Sequence, residues 1–329
     1  MSSYLVEPNY LISYERPASF NDYRCVVNGD GTQVIFERSL VDASGEIKNQ
    51  FNLYILDLPG PGNEPIPFLQ GTTLPLYSDR PDWSWQTGAV AFNWIEEKDL
   101  EVGAALSDGT YPTRVKRTSR MEYPTWYPDG TSLAVMNNAA TASPHPSTAR
   151  IDSDGTFTPA LTGQTLWAGM PSVNQTSPNL IAFAGQLVES PPKKYDQDRN
   201  YIWLLDMSQT PISVAPLEYG CPSSGCFNPA FQARAPWWSP DGKWIVFEST
   251  RADTDGKYAI FLYRVGEKNG AVQLTDPMFN MNHAKWFPNG FPGYPDGAPT
   301  LIVAAYQPRW GETPQWPHGI ATLDVSAFV

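Results

Sequence analysis

Of 329 residues only three are cysteine and three are histidine, and charged side chains make up 17% against the roughly 25% usual in soluble domains. So small a stock of thiols and imidazoles leaves little from which to build a zinc site. Basic residues are few as well. The 22 Lys and Arg face 34 Asp and Glu, giving a net charge of -12, and no basic stripe is present to neutralise a phosphate backbone. Nucleic acid is therefore not an expected partner. No apolar run approaches the roughly 18 residues of a membrane span, and the opening MSSYLVEPNY carries neither a basic n-region nor an apolar h-region. A soluble chain with no membrane partner is expected. There is no His-Glu-x-x-His, no P-loop and no dinucleotide fingerprint in a strand-to-helix context, which excludes the cofactor enzymes those motifs serve.

What is abundant is punctuation and aromatic bulk. The 32 Pro and 25 Gly are together about one residue in six, too many for long helices but suited to short strands joined by tight turns. Twelve Trp, 16 Tyr and 15 Phe supply large core anchors. The main signal is a repeat. Pro236-Trp237-Trp238-Ser239-Pro240-Asp241-Gly242 precedes the apolar run Trp244 to Ser249, and Pro124-Thr125-Trp126-Tyr127-Pro128-Asp129-Gly130 precedes Thr131 to Met136. Weaker copies are Lys285 to Gly290, Val27 to Gly31, Pro81 to Ser84 and Pro171 to Val173. Their anchors at 27, 83, 126, 173, 238 and 286 stand 56, 43, 47, 65 and 48 residues apart, a period that suits a four-stranded propeller blade. Six copies predict six blades.

Each blade has a third strand in the pattern: Phe51 to Leu58, Ala104 to Leu106, Ser147 to Ile151, Tyr201 to Leu205, Ala259 to Val265 and Gly319 to Val325, with Ala271 to Leu274 as a fourth strand. Pro-Asp-Gly presets a turn, and the Trp is expected to pack between neighbouring blades. The last blade lacks an outer strand, and Tyr10 to Glu15 is expected to supply it and close the ring. The fold class expected is an all-β six-bladed propeller of four-stranded blades, one domain over 1–329.

The Trp-Ser-Pro-Asp-Gly run at Trp238 to Gly242, with its altered copy at Trp126 to Gly130, resembles the repeats of the TolB-like six-bladed propeller family. Peptidases with similar propellers carry an α/β-hydrolase domain, whereas this chain has no Gly-x-Ser-x-Gly elbow. Stand-alone propellers of this kind include fungal hetero-Diels-Alderases of tropolone sesquiterpenoid pathways, and this Trp-rich acidic ring is similar to them. That resemblance implies a cofactor-free cyclisation or cycloaddition enzyme of secondary metabolism. The alternatives are a non-catalytic propeller that presents its rim to a protein or glycan and, third, a metal-assisted polysaccharide lyase resembling the oligogalacturonate lyases.

In such a ring the residues just before each innermost strand gather at one mouth of the central channel. They are Asp22, Tyr23 and Arg24, then Asp79 and Arg80, Arg120 and Glu122, Trp167, Gln232 and Arg234, and Asn282 and His283. Arg234 and His283 are the expected catalytic pair, hydrogen-bonding an oxygen that gains charge. Tyr23, Asp79, Arg80, Glu122, Trp167, Gln232 and Asn282 are the expected substrate-binding set, with Trp167 and Tyr23 offering aromatic faces. The plain alternative is a collar of side chains that pair with one another. His145 and His318 are read as loop residues.

Cys221 and Cys226 bracket Cys-Pro-Ser-Ser-Gly-Cys, a short loop that a disulfide is expected to close. With it comes the expectation of a secreted or secretory-pathway protein, the cytoplasm being the alternative. No cofactor or catalytic metal is expected. Structural calcium is allowed by Asp152-Ser153-Asp154-Gly155, Asp253-Thr254-Asp255-Gly256 and Asp196-Gln197-Asp198, although none has the closing Glu of a calcium loop and hairpin turns explain them as well. Asn174-Gln175-Thr176 is a glycosylation sequon. The partner expected is a small-molecule substrate, and the chain is expected to be a monomer.

Overall fold

The computed structural model describes residues 5–12, 19–44, 46–48, 50–59, 63–71, 74–75, 77–95, 102–115, 120–138, 147–152, 154–158, 161–162, 166–187, 200–218, 231–295, 297–306 and 318–329, with the backbone alone at 102–105. The strand β1 (Asn9–Tyr10) is followed by blade 1, made of β2 (Phe20–Val27), β3 (Gln33–Leu40), β4 (Asn52–Asp57) and β5 (Ile66–Pro67). Blade 2 is β6 (Tyr77–Trp83), β7 (Val90–Ile95), β8 (Val102–Ser107) and β9 (Thr113–Arg114). Blade 3 is β10 (Met121–Trp126), β11 (Leu133–Asn137), β12 (Ser147–Ile151) and β13 (Phe157–Thr158). Blade 4 is β14 (Leu166–Val173), β15 (Leu180–Leu187), β16 (Tyr201–Asp206) and β17 (Ser213–Pro216). Blade 5 is β18 (Ala233–Trp238), β19 (Trp244–Ser249), β20 (Ala259–Arg264) and β21 (Val272–Gln273). Blade 6 is β22 (Asn282–Trp286), β23 (Thr300–Tyr306) and β24 (His318–Asp324), completed on its outer edge by β1.

All pairs are antiparallel, and each innermost strand packs against the next around the ring, β22 meeting β2. Six four-stranded blades around one axis are the propeller that the repeat predicts. The described closing strand is Asn9–Tyr10, in register with Thr322 and Ala321, so it starts one residue before the Tyr10 to Glu15 expected, of which positions 13–15 lie outside the described residues. The Tyr10 hydroxyl fixes it by donating to the Tyr306 carbonyl at 2.6 Å.

The core lies between blades. Trp126 packs with Ala91 of the preceding blade, Trp238 with Ala182 and Ala184, and Trp286 with Val246, Ile260 and Leu262. Small or branched residues on one sheet face leave room for an indole from the next, which is how six sheets bury their faces without a shared centre. The turns lock the same seams. Gly242 has φ +70°, and a Cβ there would lie 2.6 Å from Asn174 Oδ1 in blade 4, so the turn needs glycine for conformation and for approach.

Several sequence readings change here. Asn174 is buried, donates to the Gly242 carbonyl (3.1 Å) and accepts from the backbone N–H of Thr176 (2.9 Å) and Ser177 (3.0 Å), so the sequon is an inter-blade clip. Asp154 accepts from the Thr156 N–H, and Asp253 from the N–H groups of Asp255 and Lys257, which is turn chemistry. His318 is no loop residue. It opens β24, fully buried, with its backbone N–H donated to Asn21 Oδ1 and its ring beside the Asn280 carbonyl. Cys25 is buried as a free thiol in β2. Cys221, Cys226, His145 and Asp196 to Asp198 lie outside the described residues.

Candidate functional site

Every innermost strand breaks register with its neighbour at the same place. The extra residues fall after Tyr23, Asp79, Glu122, Gly169, Arg234 and Asn282, making six β-bulges. In four of them the second bulge residue is a proline, Pro81, Pro124, Pro171 or Pro236, which has no N–H to give the ladder. The residue at each bulge is left-handed without being glycine: Arg24 (φ 30°), Arg80 (54°), Tyr123 (53°), Met170 (50°), Ala235 (50°) and His283 (52°). A Cβ in this region costs about 1–2 kcal/mol. Six such residues therefore concentrate strain on one ring about the axis.

Three of these bulges are held from the blade before. The Arg80 N–H donates to Glu37 Oε1 at 2.5 Å, the Tyr123 N–H to Asn93 Oδ1 at 3.1 Å, and the His283 N–H to Glu248 Oε2. Glu37, Asn93 and Glu248 occupy the same register position of the second strand, opposite Tyr23, Asp79 and Arg234. Met136, Ala184 and Ala304 stand there in the other blades and offer no acceptor. A sequence signal existed for these acceptors: Ile35-Phe36-Glu37, Ala91-Phe92-Asn93 and Val246-Phe247-Glu248 each set a polar residue after phenylalanine in a run otherwise bound for the core.

The six left-handed side chains line one cavity in the channel, together with the four prolines, Trp237 and Lys285. Measured to the centres of water-sized spheres its space is about 50 Å³, room for about three to five waters. Lys285 crosses the channel as a strut. Its Nζ donates to the Pro81 carbonyl at 2.9 Å, stands 3.8 Å from Asp82 Oδ1 and lies 4.0 Å from the centre of the Trp237 ring. Beyond it a smaller space is walled by Trp83, Trp126, Trp238 and Trp286.

Of the residues expected at the mouth, Arg24, Arg80 and His283 reach the cavity wall. Arg24 Nη1 donates to Glu37 at 2.9 Å, and Arg80 Nη1 to Glu122 at 2.7 Å with Asp79 3.7 Å away. Glu122 also accepts from Asn138 Nδ2, while the Arg120 carbonyl accepts the Asn138 N–H. Tyr23 meets His283 edge to face at 4.9 Å and lies 5.4 Å from the His318 ring. Arg234 does not line the cavity. It donates to Glu248 at 2.5 Å and to Asn282 Oδ1 at 3.4 Å, with its guanidinium over the Tyr258 ring. The Tyr258 hydroxyl donates to Gln232 Oε1, and Asn282 Nδ2 donates to the Asn280 carbonyl. Asp22 forms a buried two-point pair with Arg38, and Trp167 sits in β14 three residues before the bulge, outside the cavity wall. Most of the residues expected at the mouth are thus paired with one another in a collar, and three of them, Arg24, Arg80 and His283, line a small cavity.

Burial sets the proton chemistry. Desolvation, reinforced by Arg24, Arg234, Lys285 and Arg80, holds His283 neutral well below its ordinary range. The Glu37 carboxyl is pushed up to about 7 by burial, against the pull of Arg24. Burial also raises the Tyr23 phenol to about 12 and lowers Lys285, the latter opposed by Asp82. Among the described residues no group of three or more His, Cys, Asp or Glu is placed to hold a metal ion, and no helix is long and apolar enough to cross a membrane.

No protein-family model and no curated protein matches the sequence. Solved structures do match the fold. A protein of Agrobacterium tumefaciens assigned as TolB superposes with a TM-score of 0.60 at 17% identity, over 89% of this chain and 92% of that one. An oligogalacturonate lyase in complex with manganese gives 0.53 at 14% identity, over 99% and 83%. A chain of the nidogen/laminin complex gives 0.52 at 11% identity, over 83% and 93%. At these identities the likeness is one of fold alone.

Proposed function

We propose that the protein binds a small molecule in its central channel, at the ring of left-handed bulge residues. One observation carries the reading: all six blades spend a strained, non-glycine residue at the same level of the axis, and the six side chains converge on one cavity. Strain kept at a single level by hydrogen bonds from neighbouring blades is the mark of a preorganised site. The four prolines, Met170 and Trp237 offer apolar surface, while Arg24, Arg80 and His283 offer polar atoms. A cyclase of the hetero-Diels-Alderase kind has to enclose a polyene and its reaction partner together, and about 50 Å³ is small beside the roughly 300–1,000 Å³ of pockets for larger ligands. The proposal therefore stops at binding. A rim that docks a protein or glycan is less favoured, because the large apolar side chains left exposed among the described residues are spread over several blades, Leu40 and Ile66 in blade 1, Tyr111 in blade 2, Ile212 in blade 4 and Val272 in blade 5.

Ala235→Met tests the reading, since Met170 shows that the same left-handed position accepts a long thioether side chain. Native mass spectrometry of protein purified from its source is expected to show a retained small molecule in the wild type and none in the variant, at equal melting temperature. Equal retention in both refutes a channel site.

A further inference from the structure

The channel wall carries one nucleophilic side chain, Lys285. It lines both the cavity of the left-handed residues and the tryptophan-walled space beyond, and its side chain is 12% exposed. An ammonium has three N–H groups to give. Among the described residues Lys285 Nζ donates one of them, to the Pro81 carbonyl at 2.9 Å. The centre of the Trp237 ring lies 4.0 Å away, and Asp82 Oδ1 stands at 3.8 Å, beyond hydrogen-bond reach. A cation so thinly held, in a wall made largely of proline, methionine and tryptophan, gives up its proton more readily than one in water. Burial, with Arg24 nearby, accordingly lowers the Lys285 amine against the pull of Asp82.

An amine freed of its proton beside an apolar cavity is a nucleophile, and a desolvated lysine is the group with which proteins hold carbonyl compounds as imines. Asp82 is placed to carry the protons. Its Oδ2 accepts from the Trp126 N–H and the Thr125 hydroxyl, which fixes the carboxylate and leaves Oδ1 facing Nζ. Oδ1 takes one proton from the ammonium, and the amine attacks the carbonyl carbon to form the N–C bond. A second N–H proton passes to the carbonyl oxygen, making a hydroxyl. Asp82 then returns its proton to that hydroxyl, which leaves as water while the nitrogen lone pair closes the C=N bond. The product is a protonated imine with the same single positive charge as the ammonium, so the attraction of Asp82 and of the Trp237 face is kept. Room for about three to five waters limits the compound to about as many non-hydrogen atoms, and the prolines, Met170 and Trp237 suit a hydrocarbon tail. So small a space favours an aldehyde over a ketone, because its carbonyl carbon carries one substituent rather than two.

We propose that Lys285 is a covalent binding site for a small aliphatic aldehyde, held in the channel as an imine. The proposal rests on the channel being the binding site, and the two are separable by experiment. The full chain at neutral pH is treated with propanal and cyanoborohydride, which reduces an imine to a stable propylamine, and the label at each lysine is followed by peptide mass mapping. The same treatment in urea, where every lysine is equally open, sets the scale. Lys243 and Lys48, with side chains 66% and 49% exposed, are the internal controls. Lys285 is expected to label about tenfold faster than either. Ala235→Met, or Met170→Phe if the first variant does not fold, is expected to abolish the label at Lys285 and leave Lys243 and Lys48 unchanged. Asp82→Asn, which keeps an acceptor for the Trp126 N–H, is expected to slow Lys285 alone by about tenfold, and an unchanged rate overturns proton transfer through Asp82. Lys285 labelling no faster than the controls overturns the aldehyde site, and the native-mass comparison of wild type and Ala235→Met then decides the channel separately. Fast labelling of Lys285 that persists in a folded filling variant overturns an aldehyde held in the channel cavity.

Discussion

Replacing Gly242 by alanine places one methyl group in the seam between blades 4 and 5. The backbone there has φ +70°, which costs a non-glycine residue about 1 kcal/mol. The new Cβ would also meet Thr176 Oγ1 and stand 2.6 Å from Asn174 Oδ1 and 3.0 Å from its Nδ2. Asn174 cannot retreat freely, because it donates to the Gly242 carbonyl and accepts from the N–H groups of Thr176 and Ser177. Loss of about two of those bonds adds about 2 kcal/mol, for about 3 kcal/mol in all. Gly256→Ala is the matched control: φ is +80°, but nothing lies within 4 Å of its Cβ, so only the conformational cost of about 1 kcal/mol remains. Urea unfolding monitored by tryptophan fluorescence reads the difference as a lower midpoint at unchanged slope. Equal losses in the two variants would refute the claim that the Pro-Asp-Gly turn is an inter-blade lock.

Three further outcomes are expected. Burial lowers His318 to about 4 in the folded chain, while the unfolded chain takes up its proton near 6.5. The contribution of the neutral ring is therefore complete above pH 6.5 and is lost as pH falls from 6.5 to 4, by about 3 kcal/mol. An NMR titration giving His318 an ordinary value would contradict this, and stability measured against pH should fall less steeply over that window in His318→Gln. Glu248→Ala removes the acceptor for Arg234 and for the His283 N–H and leaves a largely buried guanidinium unpaired, at a cost of about 3 kcal/mol; thermal unfolding within experimental error of wild type would show that the pair does not hold the bulge. Asp82→Ala strips the acceptor from the Trp126 N–H (2.8 Å) and the Thr125 hydroxyl (3.0 Å), about 2 kcal/mol by chemical denaturation, and a neutral result would remove Asp82 from the seam between blades 2 and 3.

Blade number was legible because turn and anchor are both local: Pro-Asp-Gly needs four neighbouring residues, and the Trp beside it marks the buried end of the inner strand. Even Pro81 and Pro171, where the turn motif is lost, kept the spacing, since the bulges stand three residues before the anchors on the same strands. Part of the site was legible for the same reason. Arg24, Arg80 and His283 were reached by asking which residues precede an inner strand. Tyr123, Met170 and Ala235 were passed over because two are apolar and all three are marked only by the proline that follows. Lys285 looked like part of a turn copy, and nothing local shows that its amine spans the ring to Pro81, 204 residues away in sequence. Arg234 was read as a catalytic donor because its charge is visible in the sequence, whereas its engagement with Glu248 depends on strand register. His318 was read as a loop residue from the Pro317 and Gly319 beside it, yet Asn21 and Asn280, far away in sequence, supply the partners that let it start a buried strand.

The most direct measurement on the central claim is a long-range 1H–15N spectrum of the imidazole nitrogens, recorded on protein purified from its source before and after its retained small molecule is stripped. The chain has three histidines, so assignment by single substitution is simple. His283 is expected to be neutral, and loss of the retained molecule is expected to shift its ring resonances strongly while those of His318 stay still. A protonated His283, or a His283 whose resonances do not change when the retained molecule is removed, would contradict a channel site.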